Sequence, residues 1–194
     1  METKRVGCVA MAAGNASRFG GNKLAARLDG RSLIERALDA AAGPEFHQVA
    51  VVSQYPEVEA LARERGFLSL RNDHPDWGLS YTIRLGTEAL RDCDGILYLV
   101  CDQPLLTRRS VERVVTRWRE DPSRIVGAGH DGRRGNPCLF PREFFPELAA
   151  LEGDQGGTVV IRLHPERLVL AETPERELAD VDTPEGLRAL RREL

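Results

Sequence analysis

The densest chemistry in the chain follows its first apolar run. The segment Ala12-Ala13-Gly14-Asn15-Ala16-Ser17-Arg18-Phe19-Gly20-Gly21-Asn22-Lys23 joins small residues to one guanidinium and one ammonium. Small residues let the main chain approach a ligand closely, and turned backbone N–H groups make a concavity for anions. Arg18 adds a planar fork and Lys23 a point charge, a set that suits a polyphosphate. Only two of the 27 basic residues are lysines, Lys4 and Lys23, so an ammonium here stands out from an arginine-rich background. The loop is not a Walker A motif, because the G-x-x-x-x-G-K-[ST] spacing is absent and Leu24 follows the lysine. The same residues also read as a strand-to-helix turn with solvated charges.

Further candidates lie downstream. Asp102 follows the apolar run Ile96–Cys101, and Pro104 stops its continuation. A carboxylate at the carboxyl end of a parallel strand is placed to hold Mg²⁺ near a bound phosphate, or else serves as a loop charge or first-turn acid. Asp180 and Asp182, before Thr183-Pro184, offer a second oxygen source or an ordinary helix start. Gly78-Leu79-Ser80-Tyr81-Thr82 opens a helix with small and hydroxyl-bearing residues that suit a ribose or base as well as a plain cap. Arg133-Arg134 suits an anionic second substrate or a loop surface, whereas Arg188, Arg191 and Arg192 read as a solvated helix face. A literal G-x-G-x-x-G at Gly127–Gly132 would mark a dinucleotide fold only if it opened a helix. The sequence Arg133-Arg134-Gly135-Asn136-Pro137 that follows breaks helices, which predicts a Gly-rich hairpin or loop and argues against a nicotinamide-dependent oxidoreductase.

These residues need a frame. Strand-like runs alternate with helical patterns: Val6–Ala12 then Ser32–Ala42, Gln48–Ser53 then Pro56–Arg65, Phe67–Arg71 then Leu79–Arg91, and Gly95–Cys101 then Arg108–Arg119. Such alternation, with runs apolar on both faces, predicts an α/β fold with a mostly parallel sheet covered on two sides. After Arg124 the expected pieces are a strand at Pro137–Phe140, a helix at Arg142–Leu151, a strand at Arg167–Ala171 and a last helix at Pro184–Arg192. In open sheets of this type ligands bind beyond the carboxyl ends of the strands, which would gather the loops after Ala12, Arg71 and Cys101.

With 194 residues and 42% hydrophobic residues, the chain is expected to fill one core as a single domain over residues 1–194. A net charge of −3 predicts no nucleic-acid partner. Cys8, Cys93, Cys101 and Cys138 show no C-x-x-C pair and read as free thiols in a reducing compartment. His47, His74, His130 and His164 lack zinc spacing. No apolar run reaches the length of a membrane helix, and Val6–Ala13 leads straight into the Gly-rich loop, so the expectation is a cytoplasmic protein without a membrane partner.

At this point the motifs resemble the nucleotidyltransferases of molybdenum cofactor maturation, most closely their cytidylyltransferase branch. The family's L-A-A-G-x-S-x-R-[FM]-G and N-K-L appear as Met11–Gly20 and Asn22-Lys23-Leu24, followed by Asp29-Gly30. Asn72 with Gly78–Gly86, Asp102-Gln103-Pro104-Leu105, Gly135-Asn136-Pro137 through Phe140-Pro141, Gly153–Gly156 and Asp180–Glu185 match later motifs in the family's order. The resemblance implies a Rossmann-like, three-layer α/β/α domain that binds a nucleoside triphosphate and Mg²⁺. It would move the nucleoside monophosphate, CMP from CTP, onto the phosphate of molybdopterin and release pyrophosphate, with a molybdoenzyme as a partner receiving the product. Carried over by position, Ala12, Ala13 and Gly14 would meet the nucleotide through the backbone. Arg18 and Lys23 would bind its phosphates, Asn72, Gly78 and Thr82 would lie along the nucleoside, and Asp102 and Asp182 would hold the metal. Arg18, Lys23 and Asp102 would be the catalytic set. The Ala-Ala-Gly form resembles the cytidine-using branch, since guanylyl-transferring relatives carry Ala-Gly-Gly. Departures are Ala16 and Thr82 for Ser, Cys101 for Gly before the aspartate, and Asn136 where many cytidylyltransferases carry His.

Overall fold

The computed structural model describes residues 4–14 and 22–193. In chain order its first half comprises β1 (Val6–Ala12), β2 (Arg27–Leu28), β3 (Arg31–Ser32), α1 (Leu33–Ala41), β4 (Gln48–Ser53), α2 (Pro56–Glu64), β5 (Leu68–Arg71) and α3 (Leu79–Ala89). The second half comprises β6 (Gly95–Val100), α4 (Arg108–Glu120), β7 (Ile125–His130), β8 (Arg133–Pro141), α5 (Phe145–Ala149), α6 (Thr158–Leu163), β9 (Leu168–Glu172) and α7 (Pro184–Glu193). Seven strands form one sheet in the order β5-β4-β1-β6-β8-β7-β9. All pairs are parallel except those that β8 makes with β6 and β7.

The two-sided hydrophobic runs explain the layers. Alternate residues of β1 point to opposite faces. Cys8, Ala10 and Ala12 pack with α1, α2 and α4, whereas Val9 packs with α3, α5 and α6 on the other face. This is the mostly parallel, Rossmann-like three-layer architecture. Local signals fix the helix starts. Ser32 and Glu35 form a reciprocal capping box on α1, and Thr107 Oγ1 accepts from Ser110 N–H to open α4. Thr183 Oγ1 accepts from Gly186 N–H at 3.0 Å, directly ahead of Pro184.

One detail follows the sequence pattern and two depart from it. The run Gly127–Gly132 is the end of β7 and the turn into β8, with positive φ at Asp131 and Gly132. It opens no helix, so the dinucleotide motif is accidental and the expected hairpin is present. Strand β8 starts at Arg133, earlier than Pro137, because β7 supplies a partner across the turn. The segment expected to be helical from Arg142 to Leu151 is a 3-10 turn followed by α5, which stops at Ala149. Helix α6 and the small β2–β3 hairpin carry no periodic signal of their own. Among the described residues, no helix is long and apolar enough to cross a membrane.

Candidate active site

Strand order reverses between β1 and β6, since β4 lies on one side of β1 and later strands lie beyond β6. The crevice at that switch point is where an open parallel sheet leaves room for a ligand. A cleft of about 500 Å³ lies there, walled by Ala13, Gly14 and Lys23 after β1, Gly78 and Thr82 at the start of α3, and Asp102 after β6. Arg18 and the rest of residues 15–21 lie outside the described residues.

The backbone after β1 is oriented by side chains from the end of β4. Ser53 Oγ donates to Ala12 O at 3.0 Å, Gln54 Nε2 to Ala13 O at 2.8 Å and Tyr55 OH to Gly14 O at 3.2 Å. In a trans peptide the C=O and the following N–H point in opposite directions. Fixing the Ala12 and Ala13 carbonyls toward β4 therefore turns the N–H groups of Ala13 and Gly14 away from it. Nothing in the local pattern of Ser53-Gln54-Tyr55 announces this bracing role, which exists only because β4 pairs with β1.

Lys23 is aimed by its neighbours. Asn22 Oδ1 accepts from Leu24 N–H at 3.0 Å and caps a 3-10 turn, while Leu24 is buried in the core. Between them Lys23 extends its ammonium to Asp102 Oδ2 at 2.9 Å and Asp182 Oδ1 at 3.3 Å. Burial opposes the charge, but the hydrogen bonds and charges of Asp102 and Asp182 outweigh it and hold the ammonium above the ordinary lysine range. The two carboxylates are brought together by the main chain, since Val181 N–H donates to Asp102 O at 2.9 Å and the Val181 side chain is buried against Leu28, Leu33 and Leu187. Asp180 sits on the other side of Val181. Burial and then the nearby charge of Asp102 raise its carboxyl above the usual range.

The wall made by α3 depends on a close approach. Gly78 has φ of 84° and lies against Gly153, whose carbonyl accepts from Ser80 N–H at 3.0 Å. Asn72 is 1% exposed and does not line the cleft. Its Nδ2 donates to Thr82 Oγ1 at 3.1 Å and its Oδ1 accepts from His74 N–H at 2.9 Å, so it ties the end of β5 to α3. Asp76 and Asp154 also face the cleft. Asp154 belongs to the Gly153–Gly156 match, and only the contact with Gly78 reveals its place.

A second cleft of about 730 Å³ lies on the β7–β8 side and is lined by Gln103, His130, Arg133, Arg134, Asn136 and Asp180, among others. Asp102 and Gln103 are adjacent in sequence yet face the two different clefts, so the end of β6 separates them. Arg134 Nη2 donates to Thr158 Oγ1 at 2.9 Å. His130, Asp131 and Glu172 bring potential ligand atoms within 4.8 Å of one another. The carboxylates approach different ring nitrogens, Glu172 at Nδ1 (2.8 Å) and Asp131 at Nε2 (3.6 Å). A metal takes only one of those nitrogens, so the arrangement fits a protonated ring. Desolvation disfavours that charge, but Asp131 and Glu172 prevail and raise the histidine above its ordinary range.

The segment carrying Asp180 and Asp182 is anchored by Glu177, which is 6% exposed. Its Oε2 accepts from Thr107 N–H at 2.9 Å, Thr107 Oγ1 at 2.8 Å and Ser110 Oγ at 2.6 Å. Removing a buried acceptor of this kind strands its donors, so Glu177→Ala is expected to cost about 2–3 kcal/mol. Urea denaturation checks this; an unchanged midpoint would dismiss the anchor.

Comparison with known proteins agrees with this geometry. Purine catabolism protein PucB of Bacillus subtilis (strain 168) is 27% identical over 198 residues, covering 95% of both chains. A nucleotidyl transferase from Methanothermobacter thermautotroptrophicus (Mth528) superposes with a TM-score of 0.79 at 23% identity, covering 97% of each chain. Rv0371c from Mycobacterium tuberculosis H37Rv gives a TM-score of 0.78 at 22% identity, covering 97% of this chain and 98% of its own. A further structure of Rv0371c is a complex with manganese, with a TM-score of 0.74 at 21% identity, covering 99% of this chain and 100% of that one. The structural likenesses establish the fold. The model of the MobA-like NTP transferase domain matches residues 8–169, most of the chain and both sides of the switch-point crevice, and the protein belongs to that nucleotidyltransferase family.

Proposed function

We propose that the protein transfers CMP from CTP to the terminal phosphate of molybdopterin, releasing pyrophosphate. The observation that carries this reading is the convergence of Lys23, Asp102 and Asp182 where the first cleft approaches the second. The first cleft takes the nucleotide. The Ala13 and Gly14 N–H groups meet its phosphates, together with Lys23 and with Arg18, which lies outside the described residues. Thr82 and Gly78 border the nucleoside, with Asn72 bracing Thr82 from behind. The second cleft takes the acceptor, where Arg133 and Arg134 offer guanidinium groups to an anion. Choice of the cytidine base rests on the resemblance of Ala12-Ala13-Gly14 to the cytidine-using branch.

The donor set suits a hard divalent cation, because Asp102 and Asp182 supply carboxylate oxygens close enough to share one cation, Lys23 Nζ. They are the residues that would hold Mg²⁺, which supplies charge neutralisation at the reacting phosphates when bound. An acceptor phosphate oxygen forms a bond to the α-phosphorus while the bond from that phosphorus to the β-bridging oxygen breaks, and its electron pair leaves with pyrophosphate. The acceptor phosphate is already ionised near neutral pH, so no protein nucleophile is needed. The chain aligns two anions across the end of β6, and its cationic side chains offset the charge of the leaving group.

Pyrophosphate release from each of the four ribonucleoside triphosphates, with Mg²⁺ and with or without molybdenum cofactor, tests the proposal. Release that requires both CTP and the cofactor is expected. Preference for GTP or ATP would reassign the base, and turnover with a different phosphorylated compound would reassign the acceptor. The Bacillus subtilis relative is named for purine catabolism, which makes the acceptor arm the more informative one. Tight cofactor binding without release under any triphosphate would instead favour a non-catalytic maturation partner of a molybdoenzyme.

A further inference from the structure

Lys23 spends two of its three ammonium donors on carboxylates that would otherwise be open to a metal ion. Its ammonium bonds Asp102 Oδ2 at 2.9 Å and Asp182 Oδ1 at 3.3 Å, while the same residue lines the cleft proposed for the triphosphate. The Lys23 side chain is 15% exposed and Asp102 26%, so the pair is only partly screened by water. Asp182, at 60%, is the open end of the cluster. A divalent cation coordinated by these carboxylates would sit about 2.0–2.1 Å from the oxygens for Mg²⁺. An ammonium hydrogen-bonded to those oxygens occupies the same space, and the two positive charges repel.

We propose that Lys23 acts as an exchangeable counter-ion, holding the Asp102–Asp182 pair in the free protein and releasing it to a divalent cation when a triphosphate arrives. This rests on the nucleotidyl-transfer reading of the site. The long, flexible lysine stem lets one ammonium swing from carboxylate to phosphate, which a planar arginine fork does less readily. Triphosphate in the cleft draws Lys23 off the carboxylates, so each ligand strengthens binding of the other. The charge-pair geometry after exchange also places the ammonium against the phosphates that will leave. The lysine therefore does two jobs in sequence, which accounts for an ammonium at this position in a chain with only one other lysine, Lys4.

The test measures Mn²⁺ alone binding to the full chain without nucleotide, followed by loss of the free-ion paramagnetic resonance signal. Lys23→Met is expected to bind Mn²⁺ about tenfold tighter than the parent, because the competing cation is gone. Lys23→Arg should stay near the parent, and adding Asp102→Asn to Lys23→Met should abolish the gain. Conversely, calorimetry with CTP in excess EDTA should show Asp102→Asn binding CTP several-fold tighter, since Lys23 is partly released. Asp76→Asn removes a charge from the same cleft and should change CTP affinity far less. Equal Mn²⁺ affinity in Lys23→Met and parent overturns the exchange; if Asp102→Asn still weakens Mn²⁺ binding, the nucleotidyl reading survives. Equal tightening of CTP in Asp76→Asn and Asp102→Asn also overturns it, as bulk charge then explains the effect. Absence of Asp102-dependent Mn²⁺ binding in every variant, with or without CTP, overturns both. Should Lys23→Met fail to fold, the two aspartate variants decide the question through their CTP affinities.

Discussion

Replacing Asp102 by asparagine is expected to lower metal-dependent pyrophosphate release by about 10²–10³-fold, the scale seen when a preorganised charge partner is lost from a reacting centre. The substitution keeps the shape of the side chain and removes its charge. Its main-chain carbonyl still accepts from Val181 N–H, so the segment carrying Asp182 stays attached to the end of β6. The loss should therefore fall on kcat with little change in melting temperature. Raising Mg²⁺ should restore only part of the rate, since Asp182 alone remains as a charged oxygen donor of the pair. Near-normal turnover at ordinary Mg²⁺ would remove Asp102 from the proposed metal site. The variant's gain in metal-free CTP binding, expected above, would then be the one surviving sign that Lys23 had been tied to it.

Gly78→Ala is expected to be the most damaging small substitution in the wall of the cleft. The backbone there has φ of 84° and ψ of −173°, a region that an L-residue enters at a cost. A Cβ would also stand 2.4 Å from both the carbon and the oxygen of the Gly153 carbonyl, which are backbone atoms with little freedom to yield. Strain and overlap together should cost about 2–4 kcal/mol. For a chain of this size that corresponds to a drop in melting temperature of roughly 5–15 °C. Relief requires α3 or the Gly153 loop to move, which lengthens the Ser80 N–H to Gly153 O bond and shifts Thr82 and Asp154. The KM for CTP should rise as well. Gly66→Ala is the matched control. Its φ is 73°, but among the described residues nothing lies within 4 Å of the added carbon, so only the conformational cost of about 1–2 kcal/mol applies. Equal effects at the two glycines would show that the contact with Gly153 contributes nothing.

The contrast between these two glycines marks how much of the molecule was legible in one dimension. Strands β1, β4 and β6 follow their apolar runs closely, because a strand buried on both faces needs hydrophobic residues at every position. Helices α1, α4 and α7 follow their caps, since Ser32, Thr107 and Thr183 act on N–H groups only a few residues away. The accidental dinucleotide motif was recognisable for a similar reason: the residues after it break helices locally. Helix α6 is six residues long, too short for periodicity to declare it, and it takes its place by packing Val160 and Ile161 into the core. The β2–β3 hairpin has two residues per strand and is secured by Leu28 and Leu33 against Val181 and Leu187.

The candidate site divides along the same line. Residue types alone supplied a small-residue loop, an isolated lysine, an aspartate after a buried strand and an Asp-x-Asp before a helix. Each also had a bland structural reading, and only their meeting separates the two. Lys23 reaches Asp102 across 79 positions of sequence and Asp182 across 159. Asn72 shows the reverse case, because a polar residue in a matching motif turns out to brace Thr82 from within the core. Ser53, Gln54 and Tyr55 turn the backbone after β1, and Glu177 anchors the Asp180–Asp182 segment to α4, yet none of these roles has a local signature. The sequence by itself determined the elements, their caps and the inventory of charges, since those depend on propensities and hydrogen bonds spanning a few residues. Which charges meet, which face solvent and which serve as props was decided by tertiary structure alone, because the parallel order β4-β1-β6 and the return of the chain to Val181 bring together groups that share no local interaction.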